Sequence, residues 1–154
     1  MKTLLAKLYK SLKLPKGIQL TIMRLLHDKF LVGVTGIIFN ERQEILLFKH
    51  IYRTHSWSLP GGYLKANEHP KEGLEREIEE ESGLVVSMDD SLMTRTDRES
   101  ARLDLCYTGV LIGGEFRSSK EVSEHGFFAQ DAMPLLRTNQ VFLIDMAIQR
   151  LKNK

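Results

Sequence analysis

A chain of 154 residues, 42% hydrophobic and 27% charged, has the make-up of one globular domain with a real core and shows no sign of a second. Its single cysteine, Cys106, excludes an intrachain disulfide; no apolar stretch approaches a membrane span, and Lys7 and Lys10 interrupt any signal-peptide core, so the expected compartment is the cytoplasm. The net charge of +2 hides an asymmetry, with seven basic and one acidic residue in positions 1–29 and three basic against seven acidic in positions 62–84.

Leu4, Leu5, Leu8 and Leu12 recur at helical spacing with Lys2, Lys7, Lys10 and Lys13 around them, which predicts a basic amphipathic helix ended by Pro15-Lys16-Gly17. A second helical pattern runs from Ile18 to Leu26. These form an expected helical extension, residues 1–29, ahead of a main domain, 30–154. A basic extension could hold a polyanionic substrate, touch nucleic acid or lie on an anionic membrane. The plainer expectation, favoured here, is packing on the domain or on a second subunit of a homodimer.

Phe30 to Phe39 reads as a strand, and Glu44 to His50 as its hairpin partner across Asn40-Glu41-Arg42-Gln43. The following segment, His50 to Trp57, mixes aromatic, cationic and imidazole groups that could stack a base and grip a phosphate. Arg53 is its phosphate-binding candidate; Trp57 is a base-stacking candidate or, in the plain reading, a core anchor. Gly62 closes Trp57-Ser58-Leu59-Pro60-Gly61-Gly62, where a glycine lets backbone approach a ligand.

Pro70 is placed like a first-turn proline and Gly83 like a left-handed C-terminal residue, so the spacing predicts one helix over 70–82. Glu77, Glu80 and Glu81 then share a face, with Leu74 and Ile78 as the buried stripe beside it. Carboxylates at this spacing repel, so something should neutralise them. Hard divalent cations such as Mg²⁺ or Mn²⁺ prefer such oxygen ligands. Glu72, Glu75 and Glu79 read as exposed charges, and Arg76 as pointing away from the acidic face. His69 stands where a small hydroxylated N-cap is usual, and Gly73 where alanine would gain about 1 kcal/mol.

Leu84 to Val86 begins the next strand. Arg102 to Gly113 alternates through Leu103, Leu105, Tyr107, Val110 and Ile112, with a phase change near Gly109 that suggests a bulge. Cys106 within it reads as a buried reduced thiol. Gly113-Gly114 is an expected turn, Glu124 to Ala129 a strand, Asp131 the cap of a short helix ending near Leu136, and Val141 to Leu151 an amphipathic helix with Asn139 before it as an N-cap. Strands with helices on either side make an α+β domain.

The stretch from Gly62 to Leu84 fits a fixed pattern: Gly, five residues, Glu68, seven residues, Arg76-Glu77, an aliphatic, any residue, Glu80-Glu81, any residue, Gly83, an aliphatic. It resembles the box of the Nudix (MutT-type) hydrolases, and weaker similarity extends from about Phe30 to Leu151. The resemblance implies an αβα sandwich with a mixed central sheet. It implies metal-assisted hydrolysis of a phosphoanhydride in a nucleoside diphosphate linked to another group, with Mg²⁺, or Mn²⁺ in its place, held by Glu77, Glu80, Glu81 and the Gly62 carbonyl. Glu77 stands as ligand or general base; Glu68 and Arg76 form an architectural pair. A later loop acid, Glu121 with Glu124 behind it, would join the metal site, and Asn139 matches a base-reading asparagine.

The proline that marks many ADP-ribose-cleaving relatives is absent around Glu99 to Arg102, and no coenzyme A signature is recognisable. Nucleoside triphosphates, nucleotide sugars, CDP-alcohols, dinucleoside polyphosphates and capped RNA remain as substrate classes. A small nucleotide is favoured over RNA, since the chain lacks an added RNA-binding module, and a membrane partner is disfavoured. The competing reading is a nucleotide sensor or scaffold without turnover; loss of a metal glutamate is its usual sign, and all three are present.

Overall fold

The computed structural model describes residues 15–52, 56–97 and 101–153. The chain divides into two compact units, with the boundary in sequence between Phe30 and Leu31. In the first, helix α1 (Lys16–Leu26) begins after Pro15, and its Ile18, Leu20, Leu25 and Leu26 are exposed. The helix expected around Leu4 to Leu12 lies outside the described residues, as does Arg53.

In the second unit, Leu31–Lys154, the elements are β1 (Leu31–Phe39), β2 (Ile45–His50), β3 (Trp57–Ser58), β4 (Gly61–Tyr63), α2 (Pro70–Ser82), β5 (Leu84–Asp97), β6 (Arg102–Gly114), β7 (Val122–Phe128), a 3₁₀ turn (Gln130–Ala132) and α3 (Thr138–Lys152). Strand order is β3-β2-β1-β6-β5, with β4 also on β1 and β7 also on β2. The sheet is mixed: β1 runs parallel to β6 and antiparallel to β2 and β4. The β1–β2 turn works as its residues dictate. Asn40 Oδ1 accepts the N–H groups of Arg42 and Glu44 at 2.9 Å, and Gln43 takes the left-handed conformation at φ 61°.

Strand alternation sends Val34, Ile38, Leu46 and Phe48 toward Leu74 and Ile78 of α2, and Ile37, Phe39, Ile45 and Leu47 toward Leu143, Ile144 and Ala147 of α3. Both faces of β1 and β2 are therefore buried, which is why these strands read as apolar runs. The unit is the expected α+β fold in three layers, helix, sheet and helix.

Four local readings need correction. The stripe read along β6 holds only in its first half: Tyr107 is buried with Leu105 against the same core, and Cys106 is buried as expected, but Val110 and Ile112 are exposed and Asp104 is buried on the opposite face, where Arg95, Arg102 and Thr35 bond it. The irregularity near Gly109 falls mainly on the partner strand β5, in register shifts between Met88 and Met93. Gly113 and Gly114 stay in β6, paired with Val85 and Leu84, instead of turning. The helix from Asp131 to Leu136 reduces to the 3₁₀ turn, because Pro134 holds Met133 extended (ψ 136°), and α3 starts at Thr138 with Asn139 inside its first turn instead of at the cap.

Candidate active site

Helix α2 carries the acidic face, and its ends are fixed by its own sequence. His69 takes the capping role of a hydroxyl, its Nδ1 accepting the Lys71 N–H at 3.3 Å, and Gly83 closes the helix at φ 71°. Gly73 is no mere weak spot: a Cβ there would fall 2.4 Å from Leu64 Cδ2 and 2.7 Å from Glu68 Oε2, so its absence lets the preceding loop press on the helix. Glu75 also differs from its reading as an exposed charge. It is half-buried and accepts the Met88 N–H at 2.8 Å, tying α2 to β5, while Glu72 and Glu79 are exposed.

Arg76 does not point away from the acidic face. Its guanidinium grips Glu68 through Nε at 2.6 Å and Nη2 at 3.1 Å, and its Nη1 reaches Glu77 at 2.7 Å and Glu80 at 2.9 Å. Lys65 adds a bond to Glu80 at 3.3 Å. The spacing rule errs because a long side chain can fold back along the helix wherever carboxylates need a counter-charge. The Arg76 hydrogen bonds, followed by the Lys65 backbone N–H, bring the Glu68 carboxyl from its ordinary 4.5 down to about 2. Glu81 is half-buried one position on. Among the described residues no three His, Cys, Asp or Glu side chains converge as a metal cage.

Gly62 connects this face to a cavity of about 930 Å³. A Cβ on Gly62 would lie 2.3 Å from Glu77 Oε2, so the missing side chain is what brings backbone and carboxylate together. The neighbouring donors, carboxylates and a peptide carbonyl, are all hard oxygens, and that chemistry fits Mg²⁺ or Mn²⁺. Glu77, Gly61, Gly62 and Tyr63 line the cavity, as do Glu121 and Asn139. Glu80 and Glu81 are not among the lining residues. Trp57 is not either; it packs edge-on against Phe128, ring centres 5.0 Å apart, in the α3-side core.

A family model described as NUDIX domain matches residues 29–144. The chain belongs to the Nudix family. Among its Nudix relatives, an ADP-ribose pyrophosphatase of Methanocaldococcus jannaschii is 32% identical over 111 residues, 68% of this chain and 65% of that protein. A MutT-like protein of Streptomyces ambofaciens is 28% identical over 100 residues, 65% of this chain and 64% of that one. The chain thus spans less than two thirds of the length of these curated relatives. The crystal structure of a UDP-X diphosphatase shares the fold with a TM-score of 0.70, at 22% identity over 97% of this chain and 79% of that one.

The Nudix box pattern leaves one group on the cavity wall unannounced. Asp104 on β6 is 2% exposed and accepts from Arg95 (Nε 3.0 Å, Nη2 2.8 Å), Arg102 (Nη2 2.8 Å) and the Thr35 hydroxyl (3.1 Å). Burial raises its proton affinity, but the bonds from Arg102 and Arg95 outweigh that and keep it ionised below the ordinary carboxylate range. A charged residue alternating in phase with Cys106 on a strand was the signal available in sequence, obscured by the stronger leucine stripe out of phase with it.

Proposed function

We propose that this chain is a divalent-cation-dependent hydrolase that cleaves a phosphoanhydride bond in a nucleoside diphosphate linked to another group. The observation that carries the reading is the contact of Gly62 with Glu77 on the wall of a cavity large enough for a nucleotide, in a chain of this family. Glu77, Glu80, Glu81 and the Gly62 carbonyl would hold Mg²⁺, which when bound neutralises the diphosphate and acidifies water. The chain's own part is positioning. Arg76 braces Glu68, Glu77 and Glu80 as one set, and Glu77, which lines the cavity, would act either as a ligand or as the group that takes a proton from an attacking water. Glu121 lines the same cavity and would add a second acid, and Asn139 would meet the base. The relative that cleaves ADP-ribose supports a nucleoside diphosphate joined to a sugar as a first substrate class, alongside nucleoside triphosphates.

The test is a panel of nucleotides in ¹⁸O water with Mg²⁺ or Mn²⁺, products identified by mass spectrometry. Cleavage confined to one class, stopped reversibly by EDTA and greatly reduced in Glu80→Gln and Glu81→Gln, is expected. Hydrolysis persisting in excess EDTA, or at full rate in both variants, would contradict the assignment. A folded, cation-binding protein that cleaves nothing would favour the sensor reading.

A further inference from the structure

The Asp104 cluster holds neither α2 nor the acidic face, yet it lines the cavity. Register explains how it assembles. Asp104 lies between Gly33 on β1 and Arg95 on β5, and Gly33 pairs in turn with Tyr63 on β4, so these four share the α3 face of the sheet. Arg102, two residues before Asp104, leans across β1 through the space that Gly33 leaves. A Cβ on Gly33 would fall 2.3 Å from Arg102 Nε and 2.6 Å from its Cζ and Nη2. The guanidinium comes to rest over the Tyr63 ring, 5.1 Å from its centre.

Three features set this cluster apart from core packing. Asp104 takes three of the N–H groups on the two guanidiniums, each of which has five, and Arg95 Nη1 gives one more to the Asn139 carbonyl at 3.4 Å. Arg102 Nε is buried without a hydrogen-bond partner, a cost that packing does not repay. The cavity as a whole carries no positive excess, since Arg95, Arg102 and Arg137 line it together with Asp97, Asp104, Glu77 and Glu121, so the pull on an anion must come from the guanidinium edges themselves. Both paired arginines are about a quarter exposed, 26% and 27%, so their outer edges reach the cavity while the Asp104 end is fixed. We propose that Arg95 and Arg102, braced by Asp104, form an anion-binding subsite that takes a phosphoryl group of the substrate on the α3 face. Forked guanidiniums suit the several oxygens of such a group. The word substrate rests on the hydrolase reading above, but anion binding at this place needs no turnover.

The experiment is thermal-shift and calorimetric titration of the full chain with inorganic pyrophosphate in EDTA. Wild type and Lys49→Ala, which removes a cation outside the cavity, are expected to bind alike. Arg102→Ala, Arg95→Ala and Gly33→Ala should bind about tenfold to a hundredfold more weakly, the loss expected for a charge-assisted hydrogen bond. Gly33→Ala matters most, because it deletes no polar group and acts only by displacing the Arg102 guanidinium. Circular dichroism checks folding; should Arg102→Ala melt, Arg102→Lys keeps the charge without the fork and should still weaken binding. Pyrophosphate affinity unchanged in Arg102→Lys and Gly33→Ala, or absent in wild type, overturns the subsite. Metal-dependent cleavage with that outcome leaves the hydrolase standing alone; variant-sensitive pyrophosphate binding in a protein that cleaves no nucleotide leaves the subsite standing alone.

Discussion

Single atoms decide this site. Gly62→Ala adds one methyl group, but its Cβ would overlap Glu77, so the carboxylate must swing away from the backbone it touches. A displacement near 1 Å in a reacting constellation costs about a hundredfold in rate. We expect kcat for Gly62→Ala to fall by about that much in steady-state assays at saturating Mg²⁺; turnover within twofold of wild type would show that the contact is incidental. Glu68 gives a pH signature. Its folded-state value of about 2 lies below the ordinary 4.5, so its contribution to stability is full above pH 4.5 and lost as pH falls through the folded value. Urea midpoints of wild type should therefore drop between those limits, and Glu68→Gln should show a shallower drop. Equal slopes would mean that the Arg76 pair does not bias folding.

At the level of elements, α2 depends on two side chains. Leu74 and Ile78 are fully buried in the α2-side core, one helical turn apart, and they set the rotation that presents Glu77 toward Gly62. Ile78→Ala should cost about 2–5 kcal/mol in chemical denaturation, the range for a large side chain removed from a packed core; a cost below 1 kcal/mol would place the helix on the surface. This helix was the most legible part of the sequence. Pro70, Gly83 and the three glutamates fixed its limits and its acidic face, because caps and periodicity are local properties. Arg76 was misread for the complementary reason: the direction of a long flexible side chain depends on partners that helical spacing does not list.

Across the Leu31–Lys154 unit, legibility falls with sequence separation. The hairpin turn at Asn40 and the glycine beside Glu77 were readable where they stand, whereas the Asp104 cluster draws on β1, β5 and β6 and exists only through strand register. Asp131 failed because a capping residue cannot outweigh the proline three positions later. Cys106, fully buried beside this cluster, reports on the unit as a whole. Burial, with the nearby Asp104 charge, pushes its thiol up to about 12, so it should resist alkylation in the native protein and label at a rate that tracks global opening across a denaturant series. Labelling within seconds in buffer would reveal a local opening at the cavity wall.

The parallel pairing of β1 with β6 also governs when this protein can fold. Nine residues of β1, from Leu31 to Phe39, find their partners about seventy positions later, between Arg102 and Val110, while the adjoining β2 contributes a single registered pair at Phe39 and Ile45. Contacts so distant in sequence close slowly, because the chain gives up its freedom before any pairing rewards it. On the ribosome, Val34, Ile37 and Ile38 must therefore wait for most of the chain to emerge before β6 can cover the open edge of their strand. That interval is the time at which nascent chains are most open to misassembly with one another.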